Sequence, residues 1–216
     1  MGGYKVIYPQ EFGIEPDIAA AYDIITEAHI CKVLRDRFGK GIMHGSVLAR
    51  EEPLDESRCL VYCCEKQLRN YLRDVDVVVE IGTKYGVGTL LPAHYASHAI
   101  TIDIIPRTEP ISVWSYFGVN NKITYAVVED DKEKAEYLND KTFDFAILDG
   151  GHTYENIKSD FELVKKCGRV LFHEYILTAP KGNPDKFKPT IDFLKTLPKD
   201  EVTLAEPFAY WERKDG

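Results

Sequence analysis

The β-branched run Val75-Asp76-Val77-Val78-Val79 leads directly into Glu80-Ile81-Gly82-Thr83-Lys84-Tyr85-Gly86-Val87-Gly88, and then into the apolar Thr89-Leu90-Leu91-Pro92-Ala93. A buried strand, a glycine-rich turn and a helix in that succession commit a chain to an open α/β sheet, with backbone N–H groups of the turn aimed at a ligand over the sheet edge. The spacing is Glu-x-Gly-x-x-x-Gly-x-Gly, with the acid first, and not Gly-x-Gly-x-x-Gly. Gly82 is expected where a side chain would collide with a ligand lying on the loop. Gly86 and Gly88 are expected to let loop, ligand and following helix approach one another. Glu80, at the carboxyl end of its strand, is expected to accept from a ligand. A carboxylate there suits an ammonium or ribose hydroxyls and repels a pyrophosphate. A tight turn whose glycines serve packing alone is the competing reading, and the leading acid weighs against it.

Further strands follow at the spacing of βαβ units. His98-Ala99-Ile100-Thr101-Ile102-Asp103 ends in an acid roughly twenty residues past the loop, where a ribose-binding carboxylate belongs. Ile123 to Val128 ends in Glu129-Asp130-Asp131. Phe143-Asp144-Phe145-Ala146-Ile147-Leu148-Asp149 runs into Gly150-Gly151-His152-Thr153-Tyr154 and a helix through Ile157, Phe161 and Val164. Cys167-Gly168 then turns into Arg169-Val170-Leu171-Phe172-His173-Glu174-Tyr175. Parallel strands are expected near 75–81, 99–103, 123–128, 143–149 and 169–174, with a helix over 190–197. Strands near 202–204 and 208–211 have connections too short for a crossover helix and are expected to pair antiparallel.

The acid-led loop resembles the first motif of the class I S-adenosylmethionine (AdoMet) methyltransferases. The Asp149-Gly150-Gly151-His152-Thr153-Tyr154 segment, Asp160 and His173-Glu174 are similar to a small-molecule O-methyltransferase subgroup, which includes macrolide sugar O-methyltransferases and relatives near cephalosporin-modifying enzymes. Two departures stand out: Cys167-Gly168 in place of Gly-Gly, and Glu174 in place of Asp. The resemblance implies a Rossmann-like, doubly wound α/β fold: a mostly parallel seven-stranded sheet with an antiparallel C-terminal strand. Residues 75–216 would form the AdoMet-binding core, and residues 1–74 a mostly helical N-terminal extension lying over the pocket. It implies an AdoMet site of Glu80, Gly82, Thr83, Lys84, Tyr85, Gly86, Gly88, Asp103, Asp130 and Asp149. Asp130 would reach the adenine amino group, although capping of the next helix competes for it.

Methyl transfer from a sulfonium is an in-line displacement that asks an enzyme to position the acceptor and remove its proton. His152 and Asp149 are the candidate catalytic residues, because an imidazole with an ordinary pKa near ~6.5 accepts a proton near neutrality. Asp149 and Glu174 would end neighbouring strands, and a cation such as Mg²⁺ would relieve the repulsion between their carboxylates. His173, on the opposite side of its strand from Glu174, is expected to play a core or supporting role.

The chain has 216 residues, a formal net charge of −8 and five cysteines. That charge gives no footprint for nucleic acid or an anionic membrane. No apolar run approaches the ~20 residues that cross a bilayer. The start Met1-Gly2-Gly3-Tyr4-Lys5 lacks a secretory core, so a cytoplasmic setting is expected. Cys31, Cys59, Cys63, Cys64 and Cys167 read as cytosolic thiols, with Cys59 and Cys63, one helical turn apart, packed on a helix. The aromatic side chains Trp114, Tyr116 and Phe117 suit an acceptor wall or a contact between copies in a homo-oligomer, as do Tyr4 and Tyr8. The expected activity is methyl transfer from AdoMet to a small-molecule hydroxyl. The alternatives are a catalytically inactive AdoMet-fold binding or assembly protein and a nicotinamide-binding enzyme.

Overall fold

The computed structural model describes residues 4–7, 65–173, 187–205 and 208–214. Most of the expected N-terminal extension, Glu174, the 180–184 turn and Cys31, Cys59, Cys63 and Cys64 lie outside the described residues. Five strands carry the centre of the sheet: β2 (Val77–Ile81), β3 (His98–Asp103), β4 (Ile123–Val127), β5 (Phe145–Leu148) and β6 (Arg169–Phe172). All are paired in parallel, in the order β4-β3-β2-β5-β6. The C-terminal β7 (Val202–Ala205) and β8 (Phe208–Glu212) pair antiparallel, and β8 docks antiparallel on β6. The sheet has eight strands rather than the expected seven. The extra one, β1 (Lys5–Ile7), pairs antiparallel with β4 at the far edge. Residues 5–7 are therefore part of the sheet and not of a helical extension; three residues are too few to show a strand period in sequence.

The strands are buried on both faces, as their nearly continuous apolar runs require. One face packs on α1 (Glu65–Tyr71), α2 (Leu90–Tyr95) and α3 (Glu109–Tyr116), through Leu68, Leu90, Ile111 and Trp114 against Val78, Ala99 and Phe145. The other packs on α4 (Asp131–Asn139), α5 (Tyr154–Val164) and α6 (Lys188–Leu194), through Leu138, Phe161 and Phe193 against Val79, Ile102 and Phe172. Side chains alternate by residue, so Val78 and Glu80 face the first layer while Val79 and Ile81 face the second. The starts of β2 and β5 are tied by Asp144, whose carboxylate accepts from the backbone N–H groups of Asp76 and Val77.

Strand order reverses between β2 and β5, which places the ligand crevice of such a sheet beyond their carboxyl ends. Trp114 and Phe117 do not line it as an apolar wall. Trp114 and Phe117 are fully buried in the first helical layer, and the indole Nε1–H of Trp114 donates to the Gly86 carbonyl at 2.7 Å. Burial of an indole demands a partner for that N–H, and the glycine loop supplies it. Trp114→Phe should lower stability by about 1–3 kcal/mol, because it leaves the Gly86 carbonyl without its donor. Urea unfolding measures the loss.

Candidate active site

The glycine loop begins where backbone bonds already hold the strand ends. The Gly82 N–H donates to Ile102 at 2.8 Å, Asp149 N–H to Ile81 at 2.9 Å, and His173 N–H to Leu148 at 3.0 Å. The ladders of β2, β5 and β6 thus run on into the site, and Gly82, Asp149 and His173 are seated by the sheet itself. Gly82 has φ +102°, and a Cβ built on it would lie 2.2 Å from the Asp149 carbonyl oxygen. The glycine is therefore required by the neighbouring backbone itself. Gly86, with φ +75°, is closed in by the Trp114 indole at 2.7 Å.

Glu80 does not offer its carboxylate to the open sheet edge. It is 1 % exposed, on the face toward α2, and its Oε2 accepts from Thr89 at 2.5 Å and Thr101 at 2.8 Å. Thr101 is in turn bonded to Thr83 at 2.7 Å. Oε1 is buried without a protein partner. Burial pushes the Glu80 pKa up to about 8 against the pull of the two threonines, with Asp149 and Asp103 adding repulsion. The group is neutral at pH 7, an acid held beneath the loop as part of its floor.

Asp103 is the carboxylate that does face the crevice. The Lys84 N–H donates to its Oδ2 at 2.6 Å and the Ile105 N–H to its Oδ1 at 3.0 Å. Lys84 holds a left-handed φ of 49°. Each carboxylate oxygen has two lone pairs, so both keep acceptor capacity for a vicinal diol. Next to it Ile104 is 59 % exposed, an apolar surface at the sheet edge. Asp130 is the N-cap of α4 and accepts from Glu133 N–H at 2.9 Å, the use that competed with adenine contact in the sequence.

Asp149 and His173 come together: His173 Nδ1 lies 2.6 Å from Asp149 Oδ1. Sequence reasoning missed this pair, although the register contains it. Leu148 pairs with Phe172, so the next residues of the two parallel strands, Asp149 and His173, must stand side by side. His173 also lines a small pocket with His152, Leu148, Gly150, Asp160 and Phe172. His152 is exposed at its mouth, ahead of the Thr153 cap of α5. Asp160 is buried and paired with Lys134 at 2.5 Å. Burial draws the Lys134 pKa down, but Asp160 and Asp131 outweigh it and keep the ammonium charged. The sequence resemblance marked the Asp160 position but not its role as counter-ion to Lys134. Cys167 is a half-buried thiol whose pKa burial raises.

Residues 79–175 match a family model described as a methyltransferase domain. No curated protein sequence matches the chain. Among solved structures, the SAH-bound methyltransferase PaMTH1 of Podospora anserina aligns with a TM-score of 0.61 at 16 % identity, over 90 % of this chain and 91 % of that one. The O-methyltransferase TomG of Streptomyces achromogenes, involved in tomaymycin synthesis and solved with SAM, aligns with 0.57 at 16 % identity, over 90 % and 92 %. An rRNA methylase of Streptococcus thermophilus aligns with 0.53 at 14 % identity, over 73 % and 98 %, so the fold by itself leaves the acceptor open. The matched stretch is similar to a methyltransferase domain, and the sheet order is that of the Rossmann-like α/β fold these structures share.

The buried Glu80 makes stability depend on pH. Its folded pKa, about 8, lies above its ordinary value of 4.5, so the folded state binds the proton more tightly. The stability this contributes is full below the ordinary value and is lost as pH rises from there through the folded value, at up to ~1.4 kcal/mol per pH unit. Glu80→Gln keeps the shape without the titration. The wild type should lose stability relative to this variant between pH 5 and pH 8, measured by urea unfolding at both.

Proposed function

We propose that the protein transfers the methyl group of AdoMet to a hydroxyl oxygen of a small molecule. The observation that carries this reading is the Asp103 carboxylate, fixed by Lys84 and Ile105 N–H groups beside the loop and open to a ribose diol. Ile104 offers an apolar face for a purine next to that diol. The residues present thus fit AdoMet, with the backbone of Thr83, Lys84, Tyr85, Gly86 and Gly88 forming the cradle. The Glu-x-Gly-x-x-x-Gly-x-Gly spacing, in place of Gly-x-Gly-x-x-Gly, disfavours a dinucleotide. When bound, AdoMet supplies an electrophilic methyl carbon on a sulfonium. The net charge of −8 favours a small acceptor over a nucleic acid. Among the described residues no helix is long and apolar enough to cross a membrane.

Proton removal falls to an imidazole in this reading. With Nδ1–H donated to Asp149, His173 carries its lone pair on Nε2, and the carboxylate both orients the ring and stabilises the imidazolium that forms. The acceptor oxygen attacks the methyl carbon as the carbon–sulfur bond breaks, and its proton passes to the imidazole. His152, at the mouth of the same pocket, is the second candidate. TomG, an O-methyltransferase by its description, supports oxygen as the acceptor atom. A divalent cation on Asp149 and Glu174 fits less well. The Asp149 carboxylate is engaged by His173, which competes with a cation for it.

Calorimetric titration with AdoMet tests the site. Asp103→Ala should weaken binding by ~1–3 kcal/mol, while NAD should not bind the wild type. A wild type that ignores AdoMet, or an Asp103→Ala variant of undiminished affinity, refutes the placement. Turnover to S-adenosylhomocysteine separates an enzyme from an inactive binding protein. His173→Ala should then reduce turnover by about two to four orders of magnitude, the range of general-base catalysis, with a lesser effect of His152→Ala and none of chelation. Loss of activity on chelation, restored by Mg²⁺, would return the proton-removing role to a metal on Asp149.

A further inference from the structure

Acids exceed bases by eight in this chain, and lysines near carboxylates elsewhere in the fold are paired with them. Two cations at the crevice are not. Lys84 lies in the glycine loop and Arg107 four residues past Asp103, and neither forms an ion pair among the described residues. Both lean on one ring: the Arg107 guanidinium carbon is 5.0 Å from the Tyr85 centroid, and the Lys84 ammonium 5.9 Å. Arg107 Nε is shut off from solvent with no acceptor, a rare state for a buried donor. Lys84 is exposed and held in a left-handed conformation that few non-glycine residues adopt. The neighbouring segment shows Ile105 48 % exposed and Pro106 exposed as well. The surface beside the ribose carboxylate is thus cationic, aromatic and apolar at once.

We infer that this surface, Lys84, Tyr85, Ile105 and Arg107, recognises an acidic group on the acceptor, a carboxylate or a phosphate attached to an apolar body. The cations supply charge-assisted hydrogen bonds, with Arg107 able to meet both oxygens of the anion in plane. Tyr85 orients the guanidinium, and its ring together with Ile105 covers the apolar body. A lysine in the loop that holds a sulfonium is electrostatically unfavourable unless an anion offsets it. In an acidic protein such a site also draws anions to the one place where they are used. The inference rests on the methyltransferase reading and narrows it from a small hydroxyl compound to an acidic one.

The test uses the full chain loaded with S-adenosylhomocysteine, titrated by NMR with benzoate, phenyl phosphate and the neutral benzyl alcohol. One of the two anions should bind about tenfold more tightly than benzyl alcohol, and whichever is tighter names the acid. Arg107→Gln should remove most of that preference, Arg107→Lys should retain part of it, and raised salt should weaken it. Equal binding of benzyl alcohol and the anions, no binding of any probe, or a preference untouched in Arg107→Gln overturns the inference. So does an Arg107→Gln variant that instead loses affinity for S-adenosylhomocysteine, since the cations would then serve the methyl donor's own carboxylate. Failure of the wild type to bind S-adenosylhomocysteine at all is a different result, and strikes the methyltransferase reading itself.

Discussion

The contact on which the site depends is the one between Gly82 and the backbone of Asp149. Strands β2 and β5 diverge in helical direction at this point, and a loop leaves from each. With a Cβ on residue 82 only 2.2 Å from the Asp149 carbonyl oxygen, the two loops could not leave side by side. Glycine lets them do so, and its φ of +102° turns the chain off β2 toward α2. Everything needed above the sheet edge follows from that exit. Lys84 N–H is brought onto Asp103 on one side, and Asp149 is left upright beside His173 on the other. The Asp103 carboxylate and the His173 imidazole are thus placed by one steric constraint, on opposite flanks of the strand-order reversal.

The loop also needs a floor, and the chain makes it from an acid. A neutral Glu80 bonded to Thr89 and Thr101 spans the gap between β2, β3 and the start of α2. An apolar residue would fill the space without joining the elements, whereas the hydroxyl network fixes the loop's origin relative to α2. The cost is a buried oxygen, Oε1, with no partner in the protein. An orphaned buried oxygen calls for an explanation, and this one lies under the glycine loop. The stability that Glu80 gives up toward alkaline pH is the thermodynamic face of the same arrangement.

Much of this was legible in the sequence, and the rest failed for identifiable reasons. Continuous β-branched runs gave away the parallel strands, since only strands covered on both faces can afford them. Asp103 and Asp149 announced themselves because they terminate such runs. The pairing of Asp149 with His173 depends on register between strands, a relation between distant segments that alternation within one strand does not reveal. Glu80 was placed in the right position with the wrong exposure, because a strand-end acid looks the same whether it faces solvent or a helix start. Trp114 is ambiguous for the same reason. Its spacing in α3 suits a core and a pocket wall alike, and only the Gly86 carbonyl decides. The three-residue β1 carries too little pattern to separate it from its surroundings.

The charges at the crevice give the site a direction. Asp103 and Asp149 are carboxylates, Glu80 is neutral, and Lys84 and Arg107 are cations gathered on the side of Asp103. In the proposed reading, a sulfonium between the two aspartates would gain from both. The cationic pair then finds its opposite charge outside the protein. Had Lys84 and Arg107 been paired with acids of the chain, the crevice would present only negative potential, and any anion would be turned away. Left unpaired around Tyr85, they divide the crevice into a region that holds a cationic donor and a region that holds an anionic partner. Two oppositely charged ligands would thereby be drawn to adjacent places in one opening, with their reacting atoms between them and the Asp149–His173 pair within the same sheet edge to take the proton.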